Sequence, residues 1–269
     1  MFADPKIIHK LEPHIRRVLI VDPNPSSARL MGELMKGLGA RDLYFEPDER
    51  RALDLCREAD PHLIFIERAG ARLDGESFTR KLRRSQLVCR KAPVIMVTAD
   101  ATASTIKGAR DAGVHEFMRK PFTGGDLVKR VAVVCLKSRS WVEAVGYVGP
   151  DRRRFNSGEY AGPRKRKADT ALSKADQQAE AMDQSVRILR SAIAQFDNDP
   201  TQAVRAIREQ AEQLKRLAVT RGEAKLAVAV AGLEIALTAS SCTRTALTGP
   251  VKAVTDLFEP NSPLAVSAA

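Results

Sequence analysis

Short apolar runs alternate with amphipathic stretches along the first half of the chain. Five runs of three or four mostly apolar residues have the length of buried strands, and they span residues 18–21, 43–45, 63–66, 94–97 and 115–118. Five stretches with apolar residues at helical spacing follow them in turn, at residues 26–38, 49–59, 76–87, 103–112 and 123–139. This regular alternation predicts an α/β fold, with a doubly wound five-stranded parallel sheet covered by helices on both faces.

The second half of the chain follows a helical pattern throughout. Apolar residues step by three and four along residues 175–196 and again along residues 204–218, which is the heptad seam of a coiled coil. Asp199 and Pro200 mark the start of the second of these helices. A third helix, residues 223–239, is nearly all apolar and is predicted to be buried, and residues 248–258 form a short fourth helix. The pattern predicts an all-α helical hairpin or antiparallel bundle.

Composition changes divide the chain into five segments. We predict an N-terminal extension at residues 1–15, an α/β domain at 16–139, a basic linker containing Gly and Pro at 140–170, a helical domain at 171–258 and a flexible tail at 259–269. The net charge of +11 is uneven: residues 1–139 carry +8 and residues 140–169 carry +3, whereas residues 170–269 are neutral. The two halves are therefore expected to have different roles.

The remaining composition favours a globular protein without a membrane segment. Hydrophobic residues make up 44% of the chain and charged residues 29%. The N-terminus lacks the apolar core of a signal peptide, and the longest apolar run, residues 226–237, is too short to span a bilayer. Four scattered cysteines indicate reduced thiols rather than disulfides. We expect a cytoplasmic protein.

Four polar residues follow the predicted strands where those strands end. Asp22 follows the first strand, Glu67 the third and Thr98 the fourth, and Lys120 stands just beyond the fifth. Because the carboxyl ends of parallel strands meet at one edge of the sheet, these side chains should converge there, at the edge where open α/β folds bind ligands. Lys120 precedes Pro121, so a cis peptide bond could fix its direction.

Together these motifs resemble the receiver domain of bacterial response regulators. The resemblance rests on Val18-Leu-Ile-Val-Asp22, the strand ending at Glu67 with Asp74-Gly75 beyond it, Val94-Ile-Met-Val-Thr98-Ala99, and Lys120-Pro121-Phe122. It covers roughly residues 16–139 and implies a flavodoxin-like sheet with strand order 2-1-3-4-5. It also implies a phosphoryl group accepted by an Asp at the end of the third strand. That Asp would bind Mg²⁺ together with an acidic pair after the first strand.

The match to this family is partial at the residues that carry its chemistry. Asp22 matches the first acid of the pair, but Pro23 takes the place of the second. Glu67 stands where the phosphoacceptor Asp is expected, and Ala71 replaces the usual Pro four residues later. The remaining positions match the family: Thr98 and Lys120 as the phosphoryl-binding hydroxyl and lysine, and Phe117 as the switch aromatic on the fifth strand.

These departures predict a domain that keeps the fold and gives up phosphorylation. Mg²⁺ prefers octahedral oxygen ligation, so a site offering Asp22 and Glu67 should bind it weakly or not at all. The longer Glu67 side chain also misses the in-line geometry of phosphoryl transfer and is free to pair with Lys120. Three interpretations stay open: Glu67 imitates the phosphorylated state, Glu67 is a solvated remnant of a lost site, or some unconventional phosphorylation persists.

The leading functional hypothesis is a non-enzymatic adaptor of a two-component pathway. No nucleophile-elbow, zinc-protease or P-loop pattern occurs in the sequence. The receiver would bind signalling proteins through its fourth helix, fifth strand and fifth helix. The helical half lacks both histidine and net charge, which excludes a histidine phosphotransfer bundle and disfavours a DNA-binding domain. It is predicted to mediate assembly, including homodimer formation.

An alternative hypothesis gives the linker a binding role. Its basic residues form two clusters with aromatic residues between them, and the clusters consist of Arg152, Arg153, Arg154, Arg164, Lys165, Arg166 and Lys167. Such a segment could neutralise the phosphates of a nucleotide second messenger or nucleic acid. The protein would then be a ligand-controlled regulator. A basic linker can equally be a solvated hinge.

Overall fold

The computed structural model describes residues 4–137, 139–152, 174–239 and 242–258. The chain divides into two compact units. The first comprises Met1–Val142 and Tyr147–Ala161, and the second comprises Glu143–Gly146 and Gly162–Ala269. Most of the predicted linker and the whole predicted tail lie outside the described residues.

A five-stranded parallel sheet forms the centre of the first unit. Its strands are β1 (Arg17–Val21), β2 (Asp42–Phe45), β3 (Leu63–Glu67), β6 (Val94–Thr98) and β7 (Glu116–Arg119). They lie in the order β2-β1-β3-β6-β7, which confirms the predicted flavodoxin-like topology. The last strand is shifted by one residue from its predicted position and runs from Glu116 to Arg119. Two short strands, β4 (Ala69–Gly70) and β5 (Leu73–Asp74), pair antiparallel after β3.

Six α-helices accompany the sheet in the described part of this unit. They are α1 (Pro5–Leu11), α2 (Pro25–Gly37), α3 (Glu49–Ala59), α4 (Gly75–Arg84), α5 (Ala103–Ala112) and α6 (Gly124–Leu136). Buried side chains of α1, α2 and α6 share one core cluster, and those of α3, α4 and α5 share another. Each cluster includes residues from alternate positions of the central strands, so the sheet is covered on both faces as predicted.

Two predicted helices end earlier than expected. The helix predicted for residues 76–87 stops at Arg84, where Ser85 adopts an extended conformation and its hydroxyl donates to the Leu82 carbonyl. The helix predicted to reach about residue 139 stops at Leu136. Its beginning is as predicted, because Thr123 and Asp126 form a reciprocal capping box. In both cases the apolar pattern of the sequence continues beyond the last helical residue. The pattern therefore did not indicate where these helices end.

The N-terminal extension contributes to the core of the first unit. Asp4 caps α1, and Leu11 and Ile15 are fully buried in the cluster shared with α2 and α6. The four apolar residues between positions 7 and 15 are too few to define a helical period, which is why this element was not predicted.

The segment after α6 folds back onto the amino end of β7. It contains β8 (Trp141–Glu143) and β9 (Val148–Pro150), which form a two-stranded sheet. Arg139 and Arg130 both form ion pairs with Glu116, whose side chain is fully buried. The ring of Trp141 lies 5.4 Å from the guanidinium carbon of Arg83. Residues 139–142 are thus attached to the receiver core by charge and by ring contacts.

Arg83 is the largest fully buried side chain among the residues that the structure describes. Its guanidinium donates to the carbonyls of Gly113, Arg90 and Ala92. It also donates to Nδ1 of His115 at 3.0 Å. Burial lowers the pKa of Arg83 to about 9, so the group stays a cation at neutral pH. Burial lowers the pKa of His115 well below its ordinary value, and the charges of Arg83 and Arg139 add to this effect, so the imidazole is a neutral acceptor.

Four helices form the described part of the second unit. They are α7 (Lys174–Ala194), α8 (Pro200–Arg221), α9 (Ala224–Thr238) and α10 (Arg244–Thr255). Each helix packs on the next, and α10 packs on α7 and closes the ring. The predicted start of α8 is confirmed, since the Asp199 side chain accepts the Gln202 amide and Pro200 is the first helical residue. Among the described helices, none is long and apolar enough to cross a membrane.

The prediction that the third helix of this unit is buried was wrong. One face of α9 is buried through Leu226, Val230, Leu233 and Leu237. The opposite face is open, with Val228 75% exposed and Ile235 73% exposed. An all-round apolar sequence normally indicates a helix enclosed on all sides, and α9 departs from that rule.

Candidate functional site

The four polar residues at the strand ends meet at the carboxyl edge of the sheet. Asp22 follows β1, Glu67 ends β3, Thr98 ends β6 and Lys120 follows β7. The strands β1, β3, β6 and β7 are adjacent in the sheet, so the ends of four parallel strands place these side chains side by side. The Lys120–Pro121 peptide bond is cis.

Lys120 bonds to both carboxylates. Its Nζ donates to Oε2 of Glu67 at 2.7 Å and to Oδ2 of Asp22 at 2.9 Å. The three side chains are largely shielded from solvent, with exposures of 23% for Lys120, 14% for Glu67 and 9% for Asp22. The ammonium thus bridges two carboxylates in a partly dehydrated setting, where ion pairs are stronger than on the surface.

The remaining carboxylate oxygens also have donors within the protein. Oδ1 of Asp22 accepts the Asn24 amide at 2.8 Å, and Oδ2 accepts the Ser27 hydroxyl at 2.6 Å in addition to Lys120. Oε1 of Glu67 accepts the amide of Arg68 at 2.7 Å. Every carboxylate oxygen of Asp22 and Glu67 therefore has a hydrogen-bond partner supplied by the chain itself.

The electrostatic balance of this group favours the ammonium form of Lys120. Two carboxylates and one ammonium give the group a formal charge of −1 when all three are ionised. Burial by itself lowers the pKa of Lys120, but hydrogen bonds to Glu67 and Asp22 and the attraction of their charges outweigh it. The pKa of Lys120 consequently lies above its ordinary value.

Pro23 closes the side of the site where the family pattern has a second acid. A Cβ placed on Gly70 would lie 2.3 Å from Cγ of Pro23, so the β4 backbone passes directly over the proline ring. Gly75 makes a similar close approach, because a Cβ there would lie 2.5 Å from the Glu67 carbonyl oxygen. These two glycines let the loop after β3 and the start of α4 pack tightly beside the site.

Arg68 is a residue of the site that sequence analysis missed. Its Nη1 donates to Oδ2 of Asp100 at 3.0 Å, and its Nε lies 3.9 Å from Oε1 of Glu76. The side chain connects the loop after β3 to the loop after β6 and to α4. Its position directly after Glu67 was the available signal, but one arginine among many in the sequence gives no indication of its partners.

Thr98 is buried at the end of β6, with 6% of its surface exposed. Its hydroxyl oxygen accepts the Asp100 amide at a long 3.4 Å. Thr98 therefore stands at the edge of the Lys120 cluster and helps to shape the loop after β6.

Phe117 is buried rather than half-buried. Only 3% of its surface is exposed, and it belongs to the core cluster on the face covered by α3, α4 and α5. Partly buried Ile106 and Ala101 pack against the same cluster. The ring is therefore held inside the domain in this structure, and its proposed role as a switch stays a prediction.

The donor set for a divalent cation at this edge is small. A narrow cavity is lined by Asp22, Ser27 and Glu67 together with apolar side chains of β1, β3, β6 and α2. Within the described parts of the chain, no group of three or more Asp, Glu, His or Cys residues is arranged to hold a metal ion.

Only one residue of the predicted polyanion-binding clusters lies in the described structure. Arg152 pairs with Asp111 at 3.0 Å, and its guanidinium carbon lies 4.4 Å from the ring centre of Tyr147. The other six residues lie outside the described residues; they are Arg153, Arg154, Arg164, Lys165, Arg166 and Lys167.

Comparisons with known proteins agree on the first half of the chain. The family model of the response regulator receiver domain matches residues 18–132. The DNA-binding response regulator MtrA of Mycolicibacterium smegmatis is 29% identical over 116 residues, which is 43% of this chain and 49% of MtrA. The chemotaxis protein CheY-3 of Vibrio cholerae is 26% identical over 115 residues, covering 43% of this chain and 88% of that protein.

Two further matches show how much of each protein is shared. The sensory/regulatory protein RpfC of Xanthomonas campestris is 24% identical over 139 residues, which is 51% of this chain and 19% of RpfC. The chain thus aligns with about a fifth of RpfC and about half of MtrA. The crystal structure of Vibrio cholerae CheY4 covers 45% of this chain and 98% of its own, at 22% identity and a TM-score of 0.41.

The family match and the geometry concern the same part of the chain. The matched residues contain all five parallel strands apart from Arg17, and the four strand-end side chains fall within them. Residues 18–132 of this chain are a response regulator receiver domain.

Proposed function

We propose that this receiver domain is a pseudo-receiver, which serves as a non-enzymatic adaptor in a two-component pathway without a phosphorylation cycle. The observation that carries the proposal is the pair of hydrogen bonds that Lys120 donates to Glu67 and Asp22. The lysine contacts a side-chain carboxylate at the position where a phosphorylated receiver offers a phosphoryl oxygen. The resting domain thereby has a Lys120 contact of the kind that phosphorylation would otherwise create.

The donor set does not fit Mg²⁺. The ion requires near-octahedral oxygen ligation at about 2.0–2.1 Å and gives up its water reluctantly. Pro23 offers no carboxylate, and the oxygens of Asp22 and Glu67 already accept hydrogen bonds from Lys120, Ser27 and backbone amides. A formal charge of −1 attracts a divalent cation less than three unscreened carboxylates would.

Calorimetric titration with MgCl₂ tests this part of the proposal. The wild-type chain is expected to give no saturable heat in the millimolar range. A Pro23→Asp/Glu67→Asp variant, which restores both family acids, should bind Mg²⁺ measurably. Equal and tight binding by the two proteins would overturn the argument from the donor set.

The adaptor surface is assigned to α5, β7 and α6. Three exposed cations lie on these elements, one on each: Lys107, Arg119 and Lys129. A partner with an acidic surface would be attracted to such a face, and charge reversal there should slow its association more than it changes the receiver's stability.

A capture experiment with the full chain tests the surface. Proteins retained by the wild type from a native extract should be lost when Lys107, Arg119 and Lys129 are all changed to Glu. They should be retained by a variant with Arg152→Ala and Arg153→Ala. The opposite result, together with steep salt dependence of binding, would favour the polyanion-reading linker.

The helical unit is proposed to mediate assembly, including formation of a homodimer. Its four described helices pack on one another in a closed ring, so its outer surface is available to partners. No observation favours the polyanion-binding alternative, because the one cluster residue described, Arg152, is engaged by Asp111 and Tyr147.

A further inference from the structure

The open face of α9 differs from the outer faces of the other described helices in its unit. The exposed positions of α7, α8 and α10 include charged residues, among them Asp183, Glu212 and Lys252. Beyond Lys225, the exposed positions of α9 are uncharged or apolar along the whole helix, namely Val228, Ala231, Gly232, Ile235 and Thr238. The face is about 22 Å long, given 15 residues at about 1.5 Å each.

Gly232 is not explained by packing within the chain. It lies inside a helix, where glycine is disfavoured relative to alanine. Outside its own helix, no atom in the described parts of the chain lies within 4 Å of the place where its Cβ would be. Gly249 of α10 is equally open, but it precedes Pro250, where a residue with a Cβ is hindered in a helix. Gly232 has no such local reason, and a glycine on an open apolar face allows another helix to approach closely.

An antiparallel pairing would place this face against the same face of a second copy. The midpoint between Val228 and Ile235 lies between Ala231 and Gly232. A twofold axis through that midpoint would place Val228 of one copy against Ile235 of the other, twice, with the small residues at the crossing. This is the arrangement that an isologous dimer interface requires.

The charges at the ends of α9 fit the same arrangement. Lys225 is exposed in the first turn, where it opposes the positive end of the helix dipole, and the last turn contains no basic residue. In an antiparallel pair each Lys225 would lie beside the carboxyl end of the partner helix. There it would face the negative end of the partner's helix dipole. The last turn of that partner helix contains no basic residue of its own.

We infer that α9 is a self-association surface, at which two copies of this chain pair antiparallel through Val228, Ala231, Gly232 and Ile235. The inference rests on the assembly role proposed above for the helical unit, and it names the partner as a second copy and α9 as the surface. A single pair of 15-residue helices buries less than a standard interface, so the dimer should be of moderate strength and concentration-dependent.

Sedimentation of the full-length protein over a wide concentration range tests the inference. Wild type should show a monomer–dimer equilibrium, and Ile235→Lys should raise the dissociation constant by at least about tenfold. Gly232→Leu should do the same while it leaves the fold intact, because the site is open in the monomer. The matched control is Val88→Lys, which adds the same charge at a valine that is 86% exposed in the other unit. It should leave the equilibrium unchanged.

Spin labels on the full chain distinguish the direction of pairing. In an antiparallel pair, a label at position 225 of one copy should lie close to a label at position 238 of the other. Labels at position 225 of both copies should be separated along the axis by about 20 Å, from about 1.5 Å of rise per residue. A short distance between the two labels at position 225 would mean a parallel pair and would overturn the geometry.

The possible failures are distinguishable. A dimer insensitive to Ile235→Lys and Gly232→Leu would refute α9 as the surface and leave the assembly role of the helical unit intact. A wild-type protein that is monomeric at all concentrations refutes self-association. A third outcome is a monomeric wild type in which Ile235→Lys and Gly232→Leu abolish binding of a different protein. That outcome would also refute self-association, and it would leave the adaptor function of the receiver intact.

Discussion

At the residue scale, the central feature of the receiver site is the pairing of Lys120 with two carboxylates. A lysine at this position needs a negatively charged partner, and here both carboxylates of the site fill that role at hydrogen-bonding distance. Glu67, at the position of the family's phosphoacceptor, contacts the lysine through Oε2 at 2.7 Å. In the proposed function this contact is a structural ion pair.

Replacing Lys120 by Met should destabilise the protein by about 2 kcal/mol, because two shielded carboxylates would lose their shared cation. The expected cost lies between that of a surface pair and that of a fully buried one. Chemical denaturation of the full chain, followed by circular dichroism, measures it. Lys129→Met, which removes an exposed lysine from α6, should change stability by less than about 0.5 kcal/mol. Equal effects of the two changes would show that the ion pair has no structural value.

The raised pKa of Lys120 also predicts how this stability depends on pH. Because the folded pKa lies above the unfolded one, the contribution is complete below the ordinary lysine pKa of about 10.4. It is lost only as pH rises through the higher folded value. The stability difference between wild type and Lys120→Met should therefore be constant from neutral pH to about pH 9.5 and shrink above about pH 10.4. A difference that already falls between pH 7 and pH 9 would contradict the direction of the shift.

At the element scale, β7 links the candidate site to the segment that leaves the receiver. Its first residue, Glu116, pairs with Arg130 of α6 and with Arg139, and the lysine of the site follows its last residue. Arg83 and His115 fill the space beside its amino end. The start of β7 is therefore held by buried charges, and the segment after α6 takes part in holding it.

Changing Arg139 to Leu should destabilise the first unit by about 2–4 kcal/mol, because Glu116 would remain buried with half of its compensating charge. The side chain of Arg139 is only 6% exposed, so water cannot easily replace it. Thermal and denaturant unfolding of the full chain provide the measurement. The control is Arg50→Leu, at an exposed position of α3, which should be close to neutral. A neutral Arg139→Leu would show that the segment after α6 is not anchored by this pair.

The same elements show what a sequence pattern can and cannot predict. The parallel sheet and the convergence of Asp22, Glu67, Thr98 and Lys120 followed from apolar period and strand ends, which are local properties, whereas the strand order was implied by the resemblance to receiver domains. The partners of Arg83 and Arg139 could not be predicted in this way, because a buried arginine binds carbonyls and carboxylates that are distant in sequence. The burial of α9 was misjudged for a related reason. The composition of a helix shows how apolar it is. How much of its surface is buried depends on how many other helices pack against it, which the sequence of one helix does not show.

At the scale of the whole molecule, the two units have different surfaces. The receiver part of the chain is basic and exposes Lys107, Arg119 and Lys129 on α5, β7 and α6. The helical part is neutral overall and exposes one apolar helix face. A charged face suits a partner that is steered by electrostatics, whereas an apolar face suits a stable or self-complementary contact. The proposed adaptor role assigns the first surface to a signalling partner and the second to assembly.

The central claim is that this receiver keeps its fold without accepting a phosphoryl group, and phosphoryl labelling tests it most directly. The full-length protein is incubated with acetyl phosphate and Mg²⁺, and intact-mass spectrometry then measures the fraction carrying one added phosphoryl group. The wild type is expected to remain unlabelled. The Pro23→Asp/Glu67→Asp variant should acquire Mg²⁺-dependent label, which shows that the assay detects a competent site on this scaffold. Stoichiometric labelling of the wild type at Glu67 would contradict the account.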